Sequence, residues 1–185
     1  LLLCAEEGGS WDEGAVRRPR PGQPDTQTGD VVGAWRAAFL RAPYLRDAFV
    51  SMGILAETFE SAITWERFGP MHAAVTAAVE QATGAGGRVT CRISHVYPAG
   101  PAPYFTVLAP ARRGEELEQW AAIKQAASDA LLAAGATITH HHAVGRDHRP
   151  WYDRQRPQPF AAALRAAKSA VDPSGMLNPG VLIDG

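Results

Sequence analysis

Apolar positions change period several times along the chain, and each change marks an element. From Ile54 to Ala62, β-branched and aromatic residues dominate (Ile54, Leu55, Thr58 and Phe59, with Ile63 just beyond), which predicts a strand. Thr64 is a candidate helix N-cap, with Glu66 in the first turn where a carboxylate suits the helix dipole. That helix is expected to reach about Thr83, where Gly84, Gly86 and Gly87 stop it. Arg88 to Tyr97 alternates as a strand, Pro98-Ala99-Gly100-Pro101 is a turn, and Ala102 to Leu108 alternates again, so the pair predicts a hairpin. Leu117, Trp120, Ile123, Ala127 and Leu131 form one stripe on a helix from Glu115 to Ala134, capped by Gly135. Ala136 to His142 then reads as a final strand. Upstream, Val32, Trp35, Ala38 and Phe39 recur at helical spacing until Pro43, and Tyr44-Leu45-Arg46-Asp47 starts a second short helix that Gly53 ends. Downstream, helices are expected near Pro150–Arg154 and from about Pro159 to Val171.

The central order is β-α-β-β-α-β. It predicts an α+β, ferredoxin-like fold: one antiparallel sheet with both helices on one face, followed by a C-terminal helical segment. Three regions are expected: 1–30, the end of a preceding strand and a loop broken by Pro19, Pro21 and Pro24; 31–142, the sheet domain; and 143–185, the helical segment. The opening Leu1-Leu2-Leu3-Cys4-Ala5 reads as a strand already under way, so the chain is expected to be the C-terminal part of a longer protein.

Composition narrows the function classes. With 46% hydrophobic residues in 185, the chain is too apolar for a disordered tail. A net charge of −1 argues against a nucleic-acid partner, which usually demands a basic surplus. No apolar run reaches the roughly 18 residues of a membrane span. Cysteines Cys4 and Cys91 are too few for a disulfide scaffold and suit a reducing, cytoplasmic setting.

Strand alternation sorts the side chains into two faces. Val89, Cys91, Ile93, Phe105, Val107 and Ile138 belong under the helices. Thr90, Arg92, Ser94, Tyr104, Thr106, Thr137, Thr139 and His141 fall on the other face. A wetted face is the plain reading. A merely wet face, however, carries Lys and Glu, whereas this one carries groups that hydrogen-bond while partly dehydrated. The run His140-His141-His142 stands out; on a strand, His140 and His142 would share one face and His141 the other. Metal ligation, proton transfer, anion binding, or capping of a strand end are its readings. His95 is a candidate third ligand, but no carboxylate is expected nearby and no metal is assigned. Acid–base work or recognition of a phosphate or carboxylate leads, with Arg46, Arg92 and Arg146 available to hold an oxyanion. Glu57 and Glu60 are expected on opposite faces of their strand, solvated or salt-bridged. Trp35, Trp65 and Trp120 are expected in the core, Cys91 as an inert buried thiol, and Gly84-Ala85-Gly86-Gly87 as a cap rather than a phosphate loop.

His140-His141-His142-Ala143-Val144-Gly145, followed by Val171-Asp172-Pro173 and Leu177-Asn178-Pro179-Gly180, resembles the C-terminal end of FAD-linked oxidases of the vanillyl-alcohol-oxidase superfamily. Within it, the alkyldihydroxyacetonephosphate (alkylglycerone-phosphate) synthases and their bacterial relatives are the most similar group. Tyr44-Leu45-Arg46-Asp47, Glu57-Thr58-Phe59-Glu60 with Trp65-Glu66-Arg67, and Thr90-Cys91-Arg92 with Ala99-Gly100 and Tyr104-Phe105 carry the same resemblance from about Arg41 onward. It implies a cap, or substrate, domain whose polar face covers a flavin ring. FAD itself would be bound mainly by an N-terminal domain of the same full-length protein, toward which the C-terminal segment returns. It also implies exchange of an acyl for an alkyl group on dihydroxyacetone phosphate through a flavin adduct. Tyr104, His140, His141 and His142 would be catalytic, Arg46 and Arg92 would bind a small-molecule or lipid substrate, and Asn178 would lie near the flavin. A homodimer is a further partner left open. The rival is an FAD-linked dehydrogenase of a 2-hydroxyacid (glycolate or D-lactate type); its Gly-Glu-His-Gly and Gly-Asp-Gly-Asn-x-His motifs are replaced here by His140-His141-His142-Ala143 and Pro101-Ala102-Pro103-Tyr104. A third alternative is a non-catalytic ferredoxin-like binding module.

Overall fold

The computed structural model describes residues 41 and 44–183. The expected opening strand, the loop after it and the helix from Val31 lie outside the described residues. Two compact units divide the chain, one ending at Met52 and one beginning at Gly53. In the first, residues 44–51 are helical, and the Met52 N–H closes the turn on the Ala48 and Phe49 carbonyls at 3.2 and 3.1 Å.

The second unit contains β1 (Ile54–Glu60), α1 (Trp65–Thr83), β2 (Arg88–Tyr97), β3 (Gly100–Pro110), α2 (Glu116–Ala133), α3 (Arg149–Gln155) and α4 (Gln158–Val171). It is an α+β unit built on a three-stranded antiparallel sheet of order β1-β3-β2. The helices α1 and α2 cover one face. Met71, Val75 and Val79 of α1 and Ile123, Ala127 and Leu131 of α2 close over Leu55, Phe59, Phe105 and Val107. Each of these side chains is at most 7% exposed, so the apolar stripes and alternation read from sequence converge on one core. Phe59 and Phe105 stack across the central strand pair with centroids 4.9 Å apart.

Ala136–His142, expected as the last strand, forms no strand. It starts as one would: the Thr137 N–H donates to the Ala62 carbonyl at 3.0 Å, and the Ala62 N–H to Thr137 Oγ1 at 2.8 Å. Side chains then take the bonds a ladder would have made. Gln155 of α3 accepts from the Ile138 N–H at 3.0 Å and donates to the Ala136 carbonyl at 2.6 Å. The His141 N–H donates to Glu60 Oε2 at 3.1 Å. Backbone groups must be paired when dehydrated, and here side chains satisfied them before a fourth strand could propagate.

Other departures are local. The hairpin turn is tighter than expected, with Tyr97 pairing Gly100. Trp65 is 43% exposed rather than core; its indole N–H donates to the Tyr97 carbonyl at 3.0 Å and pins the hairpin tip. Cys91 is half-buried, and burial pushes its thiol up to about 12, so it stays protonated and inert as expected.

The connection from β1 to α1 lies along the start of β3. Ser61, Ile63 and Trp65 donate their N–H groups to the carbonyls of Pro103, Pro101 and Ala99 at 3.1, 3.4 and 3.3 Å. A Cβ on Gly100 would fall on the Ile63 carbonyl backbone. Gly100→Ala is therefore expected to destabilise the fold by about 1–3 kcal/mol in urea unfolding, the usual scale of overpacking. Gly69→Ala, on a stretch of α1 with open space around the new methyl, is expected to stabilise by up to about 1 kcal/mol.

Candidate functional site

The sheet face away from α1 and α2 carries the chemistry. The central strand β3 sets Tyr104 opposite Glu60 of β1 and Arg92 of β2. The Arg92 guanidinium lies 4.2 Å from the Tyr104 ring centroid, over its face. His142 meets the same ring edge-on, with centroids 5.4 Å apart and planes at 89°.

A β-bulge between Ile93 and His95 then changes the parity of β2. Simple alternation would place His95 with Ile93 under the helices. The extra residue turns it to the open face instead, opposite Ala102, and turns Tyr97 with it. There the His95 ring packs at 4.3 Å from His141 and 5.6 Å from His140 (centroid distances), and it stacks on Tyr97. Tyr97 Oη is 3.3 Å from His140 Nε2.

Glu60 sits at the centre of this group and is 3% exposed. Ser94 donates its hydroxyl to Glu60 Oε1, and the His141 N–H donates to Oε2. The Nδ1 atoms of His141, His140 and His95 stand 3.5, 3.8 and 4.0 Å from the carboxylate oxygens. Burial pushes the Glu60 carboxyl up, but the Ser94 hydrogen bond, the His141 N–H and the neighbouring imidazoles outweigh it. The net shift is below the ordinary 4.5, and the group is a carboxylate at neutral pH.

Beneath the sheet, a second buried carboxylate supports the loop that follows the histidines. Glu57 faces the helices, where Lys124 Nζ reaches it at 3.1 Å and the Trp120 indole also donates to it. Lys124 Nζ is also 3.4 Å from His148 Nε2. On its other side, His148 Nδ1 lies 3.0 Å from the Ala143 carbonyl. His142, one residue earlier, is pushed below 6.5 chiefly by burial and is a neutral base at physiological pH.

The expected site residues therefore divide. Tyr104, Arg92 and His142 come together in one group. His140 and His141 come together in the other, so the expected pairing of His140 with His142 gives way: off a strand, neighbouring side chains need not alternate. The expectation that no carboxylate lies near the histidines is overturned by Glu60, 81 residues before His141. Alternation on β1 held the available signal, because Glu60 shares its face with Thr58 and Ala56 and its register partner is Tyr104. Arg46 lies on the exposed helical stretch 44–51 of the first unit. Asn178 is exposed in the tail, in the left-handed region with φ 47°. The tail is shaped by Asp172, whose carboxylate accepts from Lys168 Nζ at 2.6 Å and from the Met176 and Leu177 N–H groups at 3.0 Å each. It is tied to the loop after the histidines by Arg146, which donates to the Pro179 carbonyl at 3.0 Å.

Residues 23–182 match the family described as FAD linked oxidases, C-terminal domain. An alkyldihydroxyacetonephosphate synthase of Caenorhabditis elegans is 33% identical over 147 residues, which is 76% of this chain and 25% of that protein. The synthase of Trypanosoma brucei brucei is 27% identical over 152 residues, 80% of this chain and 25% of that protein. The chain thus spans about a quarter of the length of these curated relatives. A solved alkyldihydroxyacetonephosphate synthase aligns with TM-score 0.57 and 16% identity, covering 79% of this chain and 24% of that one; this likeness concerns the fold.

The depressed Glu60 makes acid stability a readout of the site. Its stabilisation is fully present above the unfolded value, near 4.5, and is lost as pH falls through its lower folded value. Stability of the wild type, followed by urea unfolding from pH 6 to pH 2, is expected to fall more steeply below about pH 4.5 than that of Glu60→Gln. Parallel curves for the two would remove Glu60 from this role.

Proposed function

The chain belongs to the FAD-linked oxidase C-terminal domain family, and from that premise we propose that it is the substrate-covering part of an FAD-dependent enzyme that exchanges an acyl for an alkyl group on dihydroxyacetone phosphate. The observation that carries this reading is the group Tyr104–Arg92–His142 on the sheet face that α1 and α2 leave open. It combines a hydroxyl that can give or take a proton with a fixed cation 4.2 Å and a neutral imidazole 5.4 Å from the centroid of the tyrosine ring. An ester whose carboxylate leaves while an alcohol enters needs all three.

Among the described residues, Gly84-Ala85-Gly86-Gly87 closes a helix, with the Gly84 N–H on the Glu80 carbonyl at 3.1 Å, and so offers no cradle for a dinucleotide. On this reading the open face would cover a flavin's substrate side, and FAD would be held mainly by an N-terminal domain of the same protein. When bound there, the flavin supplies the reactivity at the substrate carbon that no side chain here can supply. The chain's residues do the rest. Arg92, fixed over Tyr104, holds the departing carboxylate or the phosphate by charge and paired N–H donors. Tyr104 Oη takes the proton of the entering alcohol, and the His142 ring, kept neutral by burial, accepts it. His140 and His141 would fix the edge of the same pocket, Arg46 would serve the anionic end of the substrate, and Asn178 would lie toward the flavin.

In the FAD-loaded enzyme, Tyr104→Phe is expected to lower alkyl exchange on acyl-dihydroxyacetone phosphate by about 10²–10⁴-fold, the usual worth of a positioned proton carrier. Flavin absorbance of the protein should be unchanged. If the variant turns over normally, Tyr104 is not the proton carrier. If instead 2-hydroxyacids bleach the flavin and no exchange occurs, the dehydrogenase reading replaces this one.

Because His142 must be neutral to accept a proton, the acid limb of the wild-type rate profile is expected below pH 6.5. Replacing His142 by Asn should abolish that limb along with most of the rate. A limb that persists unchanged in the variant would assign it to another group.

A further inference from the structure

We propose that Glu60, His95, His140 and His141 form a binding site for a divalent transition-metal ion of the zinc type. One ligand atom from each lies within 4.8 Å of the other three. Four nitrogen and oxygen ligands about a tetrahedral zinc stand about 3.4 Å apart. The widest separations therefore need to close by up to about 1.4 Å, which the half-exposed side chains of His95 (45%) and His141 (51%) can do by rotation.

The present bonding of the group is what calls for an ion. Three Nδ1 atoms ring the Glu60 carboxylate at 3.5–4.0 Å, none close enough for a good hydrogen bond to it, and His95 Nδ1 would exchange its 3.1 Å contact with Ser94 Oγ for the ion. His140 Nδ1 is buried and has no hydrogen-bond partner at all. A buried ring nitrogen with an unused lone pair is costly, and three imidazoles cannot all share one carboxylate by proton alone. An ion between them satisfies every one of these atoms at once.

The surroundings already hold the ligands in orientation. Tyr97 Oη lies 3.3 Å from His140 Nε2, which leaves Nδ1 as the ligating atom. The Ser94 hydroxyl and the His141 N–H fix the two oxygens of Glu60. Such outer partners are what tune and align a metal centre. The mixed imidazole and single carboxylate set suits zinc, or cobalt in its place, rather than calcium or magnesium, which take oxygen ligands.

This inference is separate from the proton handling proposed above, since Tyr104, Arg92 and His142 are not among the ligands, although His140 and His141 also edge that pocket. The test is read without turnover, so either reading can fail alone. The protein is stripped with a chelator and titrated with Zn²⁺ by calorimetry, and with Co²⁺ by visible absorption. One equivalent of Zn²⁺ should bind, and Co²⁺ should give the intense bands of four-coordinate geometry. His95→Asn, at a ring that is half in solvent, should weaken Zn²⁺ by about 100-fold or more, since even outer-shell changes cost 10–100-fold. Glu60→Gln should do the same where it folds, and His72→Gln, on the helix side, should leave binding within about threefold of wild type. No stoichiometric binding, or binding that His95→Asn leaves within threefold, would overturn the site and leave the cluster a proton-sharing group only.

Discussion

A single buried carboxylate organises the open face. Glu60 ends β1 with almost no solvent of its own, so its charge must be met by protein groups. It draws them from two separate stretches: the Ser94 hydroxyl and the His95 ring at the bulge, and the His141 N–H with the His140 and His141 rings beyond α2. That charge gives the bulged end of β2 and the turn through the histidines a common partner on the open face. The two segments meet because both have something to offer one anion.

The strand that ends in Glu60 also carries Glu57, and the two charges serve opposite faces. Glu57 points into the helix layer, where Lys124 and Trp120 meet it. A buried pair of this kind is weak evidence for stability, because desolvation offsets much of the attraction. Its consequence here is positional. Lys124 also reaches His148, and His148 holds the Ala143 carbonyl, so the core side of the sheet fixes the loop that leaves the histidines. The site is thereby anchored from above by Glu60 and from below by Glu57.

Membership of the flavin-linked oxidase C-terminal family gives this arrangement its setting. The chain spans about a quarter of the length of its curated relatives. The open face divides into a tyrosine–arginine–histidine group and a glutamate–histidine group on one sheet. The tail adds a third piece, shaped by Asp172 and tied by Arg146 to the same loop.

What the amino-acid order determined by itself is what depends on near neighbours. The period-two runs of β2 and β3, the apolar stripes of the helices, the glycine stops and the helices after Arg149 all follow from local periodicity, and all stand close to their expected bounds. The assignment of Tyr104 and Arg92 to the uncovered face follows from alternation alone. Three features did not: the bulge that reverses the parity of His95, the loss of strand pairing after Thr137, and the meeting of Glu60 with the histidines. Each rests on partners far apart in sequence, 34 residues for Ser94 and Glu60 and 81 for Glu60 and His141. Alternation presumes an unbroken ladder. Only the folded chain, by bringing one dehydrated charge against groups from distant segments, could decide where that ladder yields.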